Sequence, residues 1–286
     1  MRVAVRDTTL FFDVDGAKLV PAGPRMRERP TVLLVHTGPG YDHAIYKDKV
    51  GPALVKLAQV VYLDLRGHGR SDPVTHDQLT LDEWADDLPA FCDALEIERP
   101  VVLGHGFGSL IAMRYAARYP GHAGRLVLVN PAARILVSRI VAAYDRIGGP
   151  EAGEAAMRFY ESPGEHTWAR FLRLCLPLFS ASGMDAELTT RANWNPDVAM
   201  AWISGEMRGI DLRPELGQIR VPTLVLAGED DPQHTVFAAE EVVAGLPTVV
   251  GFHRYPNTRH AVFADAPDAL GDVAGFLTAE TLSEPA

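Results

Sequence analysis

Short apolar runs with the length of buried strands alternate with helix-like segments along most of this chain, and this alternation limits the fold more than any other feature. Strands separated by helices form mostly parallel sheets that are covered on both faces. After an alternating stretch at 1–19 that predicts a hairpin or meander, the predicted strands are Thr31–Val35, Val60–Leu63, Val101–Leu103, Arg125–Val129, Thr223–Ala227 and Val249–Tyr255. The predicted helices are Pro52–Ala58, Leu79–Leu95, Phe107–Arg118, Val236–Ala244 and Pro267–Leu277. We therefore predict a doubly wound α/β sheet with functional loops at the carboxyl ends of its strands.

One long interval interrupts this alternation. Residues 131–217 have helical patterns, no convincing strand, and three of the four tryptophans, Trp168, Trp194 and Trp202. We predict that this interval is a helical cap inserted after the sixth strand of the sheet, between two core segments at 1–130 and 218–286. Segments that cover a site commonly select its substrate, so we expect the three tryptophans to contact the substrate.

Composition excludes several classes of partner. The 286 residues carry a formal net charge of -10, which argues against nucleic acids and anionic membranes. Cys92 and Cys175 are too few for a disulfide framework, and the histidines show no metal-ligand spacing. The charged start M-R-V-A-V-R-D lacks the apolar region of a signal peptide, and no run approaches the roughly 20 apolar residues of a membrane span. We expect a cytoplasmic monomer or homodimer that binds a small molecule without a cofactor or metal.

The segment Val101–Gly108 has an unusual glycine at a sharp turn. It reads V-V-L-G-H-G-F-G, an apolar strand, a glycine turn and the start of a helix. This is the arrangement of a nucleophile elbow, G-x-S-x-G, with Gly106 where the serine belongs. Ser109 lies one turn into the helix and is expected to point away from the elbow. A dinucleotide-binding loop is disfavoured because its third glycine would fall at Ser109 and no acidic residue follows at the required distance.

Three other loops supply the remaining chemistry. G-E-D-D-P follows the strand that begins at Thr223, and its spacing favours Asp231 over Asp230 as the acid. His260 follows the last strand and is the predicted base. H-T-G-P-G follows the strand at Thr31, and we predict that the N–H groups of Gly38 and Phe107 stabilise an oxyanion. The order nucleophile, acid, base is that of α/β-hydrolases.

The chain resembles an α/β-hydrolase of the proline iminopeptidase-like group. The resemblance rests on H-T-G-P-G-Y-D-H from His36, D-L-R-G-H-G-R-S-D from Asp64, the elbow, G-E-D-D-P, and R-H-A-V-F from Arg259. It implies an eight-stranded, mostly parallel sheet flanked by helices, with a helical cap. Three residues depart from the group's pattern: Thr37 replaces the second residue of H-G-G-P-G, Gly106 replaces the elbow serine, and Ser109 replaces the last glycine of the elbow.

Other side chains near these motifs are candidates for binding the substrate. Asp64, Arg66 and Asp72 are instead predicted to form a structural polar network beneath the site. Glu206 is a candidate for an amino group, as in aminopeptidases of this group, or is a surface glutamate. For His36 we favour shaping of the oxyanion turn, and for His105 packing beside the elbow. The predicted substrate-binding residues are His36, Thr37, His43, Tyr46, His105, Trp168, Trp194, Trp202 and Glu206.

A Gly–His–Asp site leaves three functions open, which we rank in this order. The first is a hydrolase of a small ester, lactone, amide or activated C–C bond, in which His260 activates water or in which Gly106 replaces the serine of an ordinary serine hydrolase. The second is a non-hydrolytic proton-transfer enzyme, such as a lyase, decarboxylase, cyclase or cofactor-free oxygenase. The third is an inactive ligand-binding pseudoenzyme. Proline iminopeptidase activity itself is disfavoured because peptide bonds are poor electrophiles.

Overall fold

The computed structural model describes residues 1–279, apart from the side chains of Ala186, Leu188 and Thr189. The strands are β1 (Arg2–Val5), β2 (Thr8–Asp15), β3 (Leu19–Ala22), β4 (Arg25–Glu28), β5 (Thr31–Val35), β6 (Gln59–Asp64), β7 (Val101–His105), β8 (Arg125–Val129), β9 (Thr223–Gly228) and β10 (Val249–Tyr255). Eight of them form one sheet in the order β1-β2-β6-β5-β7-β8-β9-β10. The β1–β2 and β2–β6 pairs are antiparallel and the others are parallel. The predicted mostly parallel, eight-stranded sheet is therefore confirmed.

Strands β3 and β4 form a separate two-stranded hairpin that the sequence patterns did not reveal. The segment R-M-R-E of β4 is exposed throughout and has no apolar alternation. A strand that buries no face leaves no periodic signal in the sequence.

The helices lie close to their predicted positions. They are α1 (Val50–Leu54), α2 (Leu81–Ala94), α3 (Phe107–Arg118), α4 (Val137–Gly148), α5 (Pro150–Glu161), α6 (Glu165–Leu174), α7 (Ala186–Arg191), α8 (Pro196–Ser204), α9 (Val236–Gly245), α10 (Val262–Asp265) and α11 (Asp268–Thr278). Short 3-10 helices occur at His43–Tyr46, His76–Gln78, Leu176–Phe179, Glu206–Gly209 and Leu216–Gln218. Helix α3 has the predicted bounds, whereas α10 was not predicted. None of the described helices is long and apolar enough to cross a membrane.

The sheet has an apolar core on each face. One core includes residues of α2, α3 and α9, among them Trp84, and the other includes residues of α1 and α11. Strands β5 and β7 are buried along their whole length. Central parallel strands contact both cores, so they are continuously apolar instead of alternating. This continuous burial explains why short apolar runs predicted the central strands correctly.

Helices α4–α8 occupy the interval for which a cap was predicted. The interval follows β8, the sixth strand of the main sheet in chain order, and precedes β9. Among its described residues the only strand-like pairing is an isolated bridge between Arg134 and Asp211. The segment bounds 1–130, 131–217 and 218–286 stay predictions, and residues 280–286 of the last segment lie outside the described residues.

Candidate active site

The turn between β7 and α3 has the backbone conformation of an elbow. Gly106 has φ 53° and ψ -113°, a conformation that L side chains rarely adopt. Its N–H donates to the carbonyl of Val129 at 2.9 Å, which ties the turn to the end of β8. The buried Ser109 hydroxyl donates to the carbonyl of Gly106 at 2.6 Å. Ser109 thus holds the first turn of α3 and, as expected, does not line the cavity described below.

His260 and Asp231 lie side by side at the carboxyl end of the sheet. His260 Nδ1 is 2.8 Å from Asp231 Oδ2, and both side chains are buried. Asp231 Oδ1 accepts the backbone N–H groups of Gln233 at 2.7 Å and His234 at 3.1 Å. These donors hold the carboxylate in place with Oδ2 toward the imidazole, so that Nδ1 of His260 donates to it.

The neighbouring Asp230 has a different environment. Its carboxylate lies 3.2 Å from the guanidinium of Arg146, and both side chains are substantially exposed. Such surface ion pairs contribute little to stability. The structure therefore places Asp231, and not Asp230, at the histidine.

Asn130 joins the acid and base loops, and sequence reasoning missed it. Its side-chain amide donates to the carbonyl of His260 at 3.0 Å, and its side-chain oxygen accepts the N–H of Gly228 at 2.8 Å. It has a positive φ of 45°, which asparagine tolerates better than most residues. Its place directly after β8, at the carboxyl edge of the sheet, was the available signal.

Three further residues near His260 were not predicted. The His234 ring donates from Nδ1 to the carbonyl of Asn130 at 2.8 Å, and burial lowers the pKa of His234 to about 4. The Phe179 ring lies edge-on to the His260 ring at 5.3 Å. The Gln233 side chain accepts a hydrogen bond from the Tyr144 hydroxyl at 3.1 Å and donates one to the Tyr160 hydroxyl. Only the G-E-D-D-P motif, which immediately precedes Gln233 and His234, pointed to this region.

The second nitrogen of His260 contacts a residue of the predicted oxyanion loop. His260 Nε2 is 3.1 Å from the hydroxyl oxygen of Thr37. Since Nδ1 carries the proton that faces Asp231, Nε2 of the neutral ring is an acceptor, and the Thr37 hydroxyl donates to it. Thr37, His260 and Asp231 thus form a continuous hydroxyl–imidazole–carboxylate array.

A second hydrogen-bond chain, through Tyr46 and His105, joins the backbones of Thr37 and His260. The N–H of Thr37 donates to the Tyr46 hydroxyl at 2.9 Å, and this hydroxyl lies 3.0 Å from His105 Nδ1. His105 Nε2 lies 2.9 Å from the carbonyl of His260 and donates to it, so Tyr46 donates to Nδ1. Burial lowers the pKa of His105 well below its ordinary value, which keeps this ring neutral. A neutral ring has one donor and one acceptor nitrogen, so the hydrogen bonds run from Tyr46 to His105 and from His105 to the carbonyl of His260.

His36 and His43 are structural supports and not residues of the cavity wall. The buried His36 ring accepts the N–H of Leu65 at 3.3 Å and donates to the carbonyl of Thr37 at 3.2 Å, and burial lowers its pKa. His43 Nδ1 lies 2.6 Å from Asp64, away from the cavity. None of the predicted substrate-binding residues His36, His43, Tyr46 and His105 is among the described residues of the cavity wall, and substrate binding by them stays a prediction.

Two other sequence-based expectations are corrected. Asp64, Arg66 and Asp72 do not form one network: Asp64 binds His43, Arg66 binds Asp87 at 2.7 and 2.8 Å, and Asp72 pairs with Arg2. Glu206 does not reach the cavity. Its carboxylate accepts the N–H of Leu81, the first residue of α2, at 2.7 Å. Its role is to satisfy a free N–H group at a helix start.

A large apolar cavity opens in front of His260. It has an empty volume of about 1120 Å³ with its open mouth included. Its wall includes the predicted residues Thr37, Trp168, Trp194 and Trp202, as well as Gly38 and Phe107. The remaining described wall residues are Pro39, Tyr41, Ile45, Leu110, Ile135, Phe159, Tyr160, Phe171, Leu176, Phe179, Met184, Ala192, Ala199, Ile203, Met207, Gln233 and His234. Within the described part of this wall there is no Asp, Glu, Lys or Arg, so the cavity suits an uncharged, largely apolar molecule.

The oxyanion loop is attached to the segment between α7 and α8. The N–H of Asn195 donates to the carbonyl of Gly40 at 2.7 Å, and the Asn195 side chain reaches the carbonyl of Gly67 at 3.2 Å. A Cβ atom at Gly40 would lie 2.8 Å from the Trp194 ring and even closer to the Asn195 carbonyl. Only glycine fits here. Oxyanion binding by Gly38 and Phe107 stays a prediction, favoured by the place of Phe107 at the first turn of α3, where the N–H has no partner within the helix.

Comparison with known proteins identifies the family. A family model for the alpha/beta hydrolase fold matches residues 30–267, and the chain therefore belongs to the α/β-hydrolase family. It is 26% identical over 234 residues to a 2-hydroxy-6-oxononadienedioate/2-hydroxy-6-oxononatrienedioate hydrolase of Paraburkholderia xenovorans (strain LB400), which covers 76% of this chain and 75% of the relative. It is 28% identical to the putative carbamate hydrolase RutD of Caulobacter sp. (strain K31), over 93% of this chain and 97% of the relative. The structure of proline iminopeptidase from Mycobacterium smegmatis superposes with a TM-score of 0.76 over 97% of each chain at 22% identity, which shows a shared fold.

Proposed function

We propose that this protein is a hydrolase of small, uncharged organic molecules in which His260, oriented by Asp231, acts as the general base. The observation that carries the proposal is the 2.8 Å contact between His260 Nδ1 and Asp231 Oδ2, with the opposite ring nitrogen directed toward the cavity wall at Thr37. A histidine held in this way accepts a proton from the attacking oxygen and later donates it to the leaving group. Because Gly106 has no side chain, no covalent intermediate forms at the elbow.

The cavity wall favours particular substrates within that class. The aromatic and aliphatic side chains of the wall suit a hydrophobic group of the substrate. The described wall has no Lys or Arg, so it offers no cation for a substrate carboxylate. The relatives are named as a 2-hydroxy-6-oxononadienedioate/2-hydroxy-6-oxononatrienedioate hydrolase and a putative carbamate hydrolase. We therefore propose an ester, lactone, carbamate or activated C–C bond flanked by an apolar or aromatic group. Trp168 and Trp194, whose rings stack at 4.8 Å, are proposed to contact that group.

We also propose, because of its motifs, that the chain belongs to the proline iminopeptidase-like group, but we do not propose aminopeptidase activity. Glu206, the candidate for a substrate amino group, binds the backbone of Leu81 instead. A free ammonium group would enter an apolar cavity without a described counter-charge, which is unfavourable.

The proposal is tested with an aryl butyrate ester, a small lactone, an aryl carbamate and an enol-diketone. We expect turnover of at least one of these, and a loss of about 10²–10⁴-fold in kcat for His260→Ala, the range for removal of a general base. His76→Ala, at an exposed histidine that does not line the cavity, is the matched control. Equal turnover by the His260→Ala variant, or none by the unaltered protein, would overturn the proposal. Consumption of a substrate without incorporation of labelled water oxygen would point instead to non-hydrolytic proton transfer.

A further inference from the structure

The space for a side chain at position 106 is already occupied. A Cβ atom built on Gly106 would lie 2.6 Å from the Thr37 hydroxyl and 2.8 Å from both Cε1 and Nε2 of His260. Real Cβ atoms essentially never lie this close to other heavy atoms. The His260 imidazole and the Thr37 hydroxyl thus lie too close to Gly106 to leave room for the Cβ atom of an elbow serine.

The Thr37 hydroxyl also makes the hydrogen bond that a serine would make. It donates to His260 Nε2 at 3.1 Å while Nδ1 faces Asp231, so its oxygen lone pairs are left for another group. Nucleophile, base and orienting acid are recognised by this sequence of contacts and not by position in the chain. Thr37 is part of the wall of the cavity in which we propose that the substrate binds.

The backbone of Thr37 is held in place on both sides. Its N–H donates to Tyr46 at 2.9 Å, and its carbonyl accepts from His36 at 3.2 Å. Tyr46 is joined through His105 to the carbonyl of His260, so one hydrogen-bond chain fixes the nucleophile candidate and the base together. Reactive groups that are fixed before the substrate binds lose little entropy in the reaction.

We propose that Thr37 is the nucleophile of this site, and that the departures from the family pattern at positions 37 and 106 together relocate the reactive hydroxyl. This inference rests on the proposed function. As the Thr37 oxygen bonds to the substrate carbonyl carbon, its proton passes to His260 Nε2, and the imidazolium then protonates the leaving group as its bond to that carbon breaks. Water next attacks the acyl-threonine, His260 accepts the water proton, and the proton returns to the Thr37 oxygen as the acid product departs.

The test uses the full chain, an alkyl fluorophosphonate and the aryl butyrate ester. We expect mass spectrometry to locate the phosphonyl group on Thr37, and His260→Ala to abolish the labelling. Thr37→Val, which keeps the shape without the hydroxyl, should lower kcat at least about 100-fold, whereas Thr37→Ser should stay within about tenfold of the unaltered protein. Thr278→Val, at an exposed threonine of α11, is the matched control. Circular dichroism and thermal unfolding verify that each variant is folded.

Each result separates this inference from the proposed function. Undiminished ester turnover in Thr37→Val, with no label at residue 37, would overturn the inference while hydrolysis by histidine-activated water remained. Loss of turnover in Thr37→Val with no label in the unaltered protein would also overturn it and leave Thr37 as a positioning residue. Labelling of Thr37 in a protein that hydrolyses none of the test substrates would support the inference and overturn the proposed function.

Discussion

At the scale of single residues, the substitution at position 37 has larger consequences than its size suggests. In the sequence, threonine in place of glycine in H-G-G-P-G is a change of one small residue. Its significance depends on His260, which is 223 positions away and 3.1 Å distant in space. Sequence patterns located both loops, but the contact between the two side chains depends on how the loops fold toward each other. This contact was therefore beyond prediction.

The first prediction concerns the return of a serine to the elbow. Gly106→Ser alone is expected to give little esterase activity, because its Cβ would collide with Thr37 and His260. The combination Gly106→Ser with Thr37→Gly removes one of these collisions and restores the family's residues at positions 37 and 106. We expect the double variant to exceed the single variant at least about tenfold in aryl butyrate hydrolysis, which corresponds to about 1.4 kcal/mol in activation free energy.

Steady-state kinetics and phosphonate labelling at residue 106 measure this difference. Thr37→Gly alone is the necessary control, since it lacks both hydroxyl groups and should be nearly inactive. Equal activity in the single and double variants would show that His260 moves aside without help from position 37.

At the scale of helices and strands, local patterns predicted well the elements that are buried along most of their length. Helix α3 begins and ends where its sequence pattern does, because the elbow glycines and ten buried residues define it locally. The β3–β4 hairpin and the role of Glu206 were missed for the same physical reason. Neither depends on a local periodic pattern: the hairpin is exposed, and Glu206 contacts a helix start 125 positions away.

The second prediction follows from the contact between Glu206 and α2. Glu206→Ala removes the acceptor for the N–H of Leu81, and we expect the free energy of unfolding to fall by about 0.5–2 kcal/mol, as for other lost helix caps. The value of kcat/KM should not change, since Glu206 does not line the cavity. Urea denaturation and ester kinetics measure the two effects, with the exposed Glu165→Ala as a control. A large loss of activity at unchanged stability would contradict this prediction and indicate that Glu206 binds the substrate.

At the scale of the whole molecule, several buried neutral histidines connect stability to pH. Burial lowers the pKa of His36, that of His68 to about 3, that of His105 well below its ordinary value, and that of His234 to about 4. In the unfolded chain these groups titrate near 6.5. Between 6.5 and the lowered values, the unfolded chain binds more protons than the folded protein.

The third prediction is therefore a loss of stability on mild acidification. The contribution of these histidines is fully present above pH 6.5 and is lost progressively as the pH falls toward 4. Each neutral histidine contributes up to about 1.4 kcal/mol per pH unit in this window. Urea denaturation between pH 7.5 and 4.5 measures the slope, and His68→Asn should reduce it by up to one such contribution. A flat profile from pH 7 to 5 would show that these histidines become charged within the folded protein.

The attachment of Gly40 to Asn195 has a kinetic consequence. The same loop carries Thr37 at one end and the Gly40 carbonyl, bound to Asn195, at the other. Any outward displacement of the helical segment that widens the mouth for product release therefore pulls on the loop that aligns Thr37 with His260. The mouth of the cavity would then be open only when Thr37 and His260 are out of alignment for the reaction. If product release requires such a displacement, we expect closure of the segment, and not bond cleavage, to limit the turnover rate.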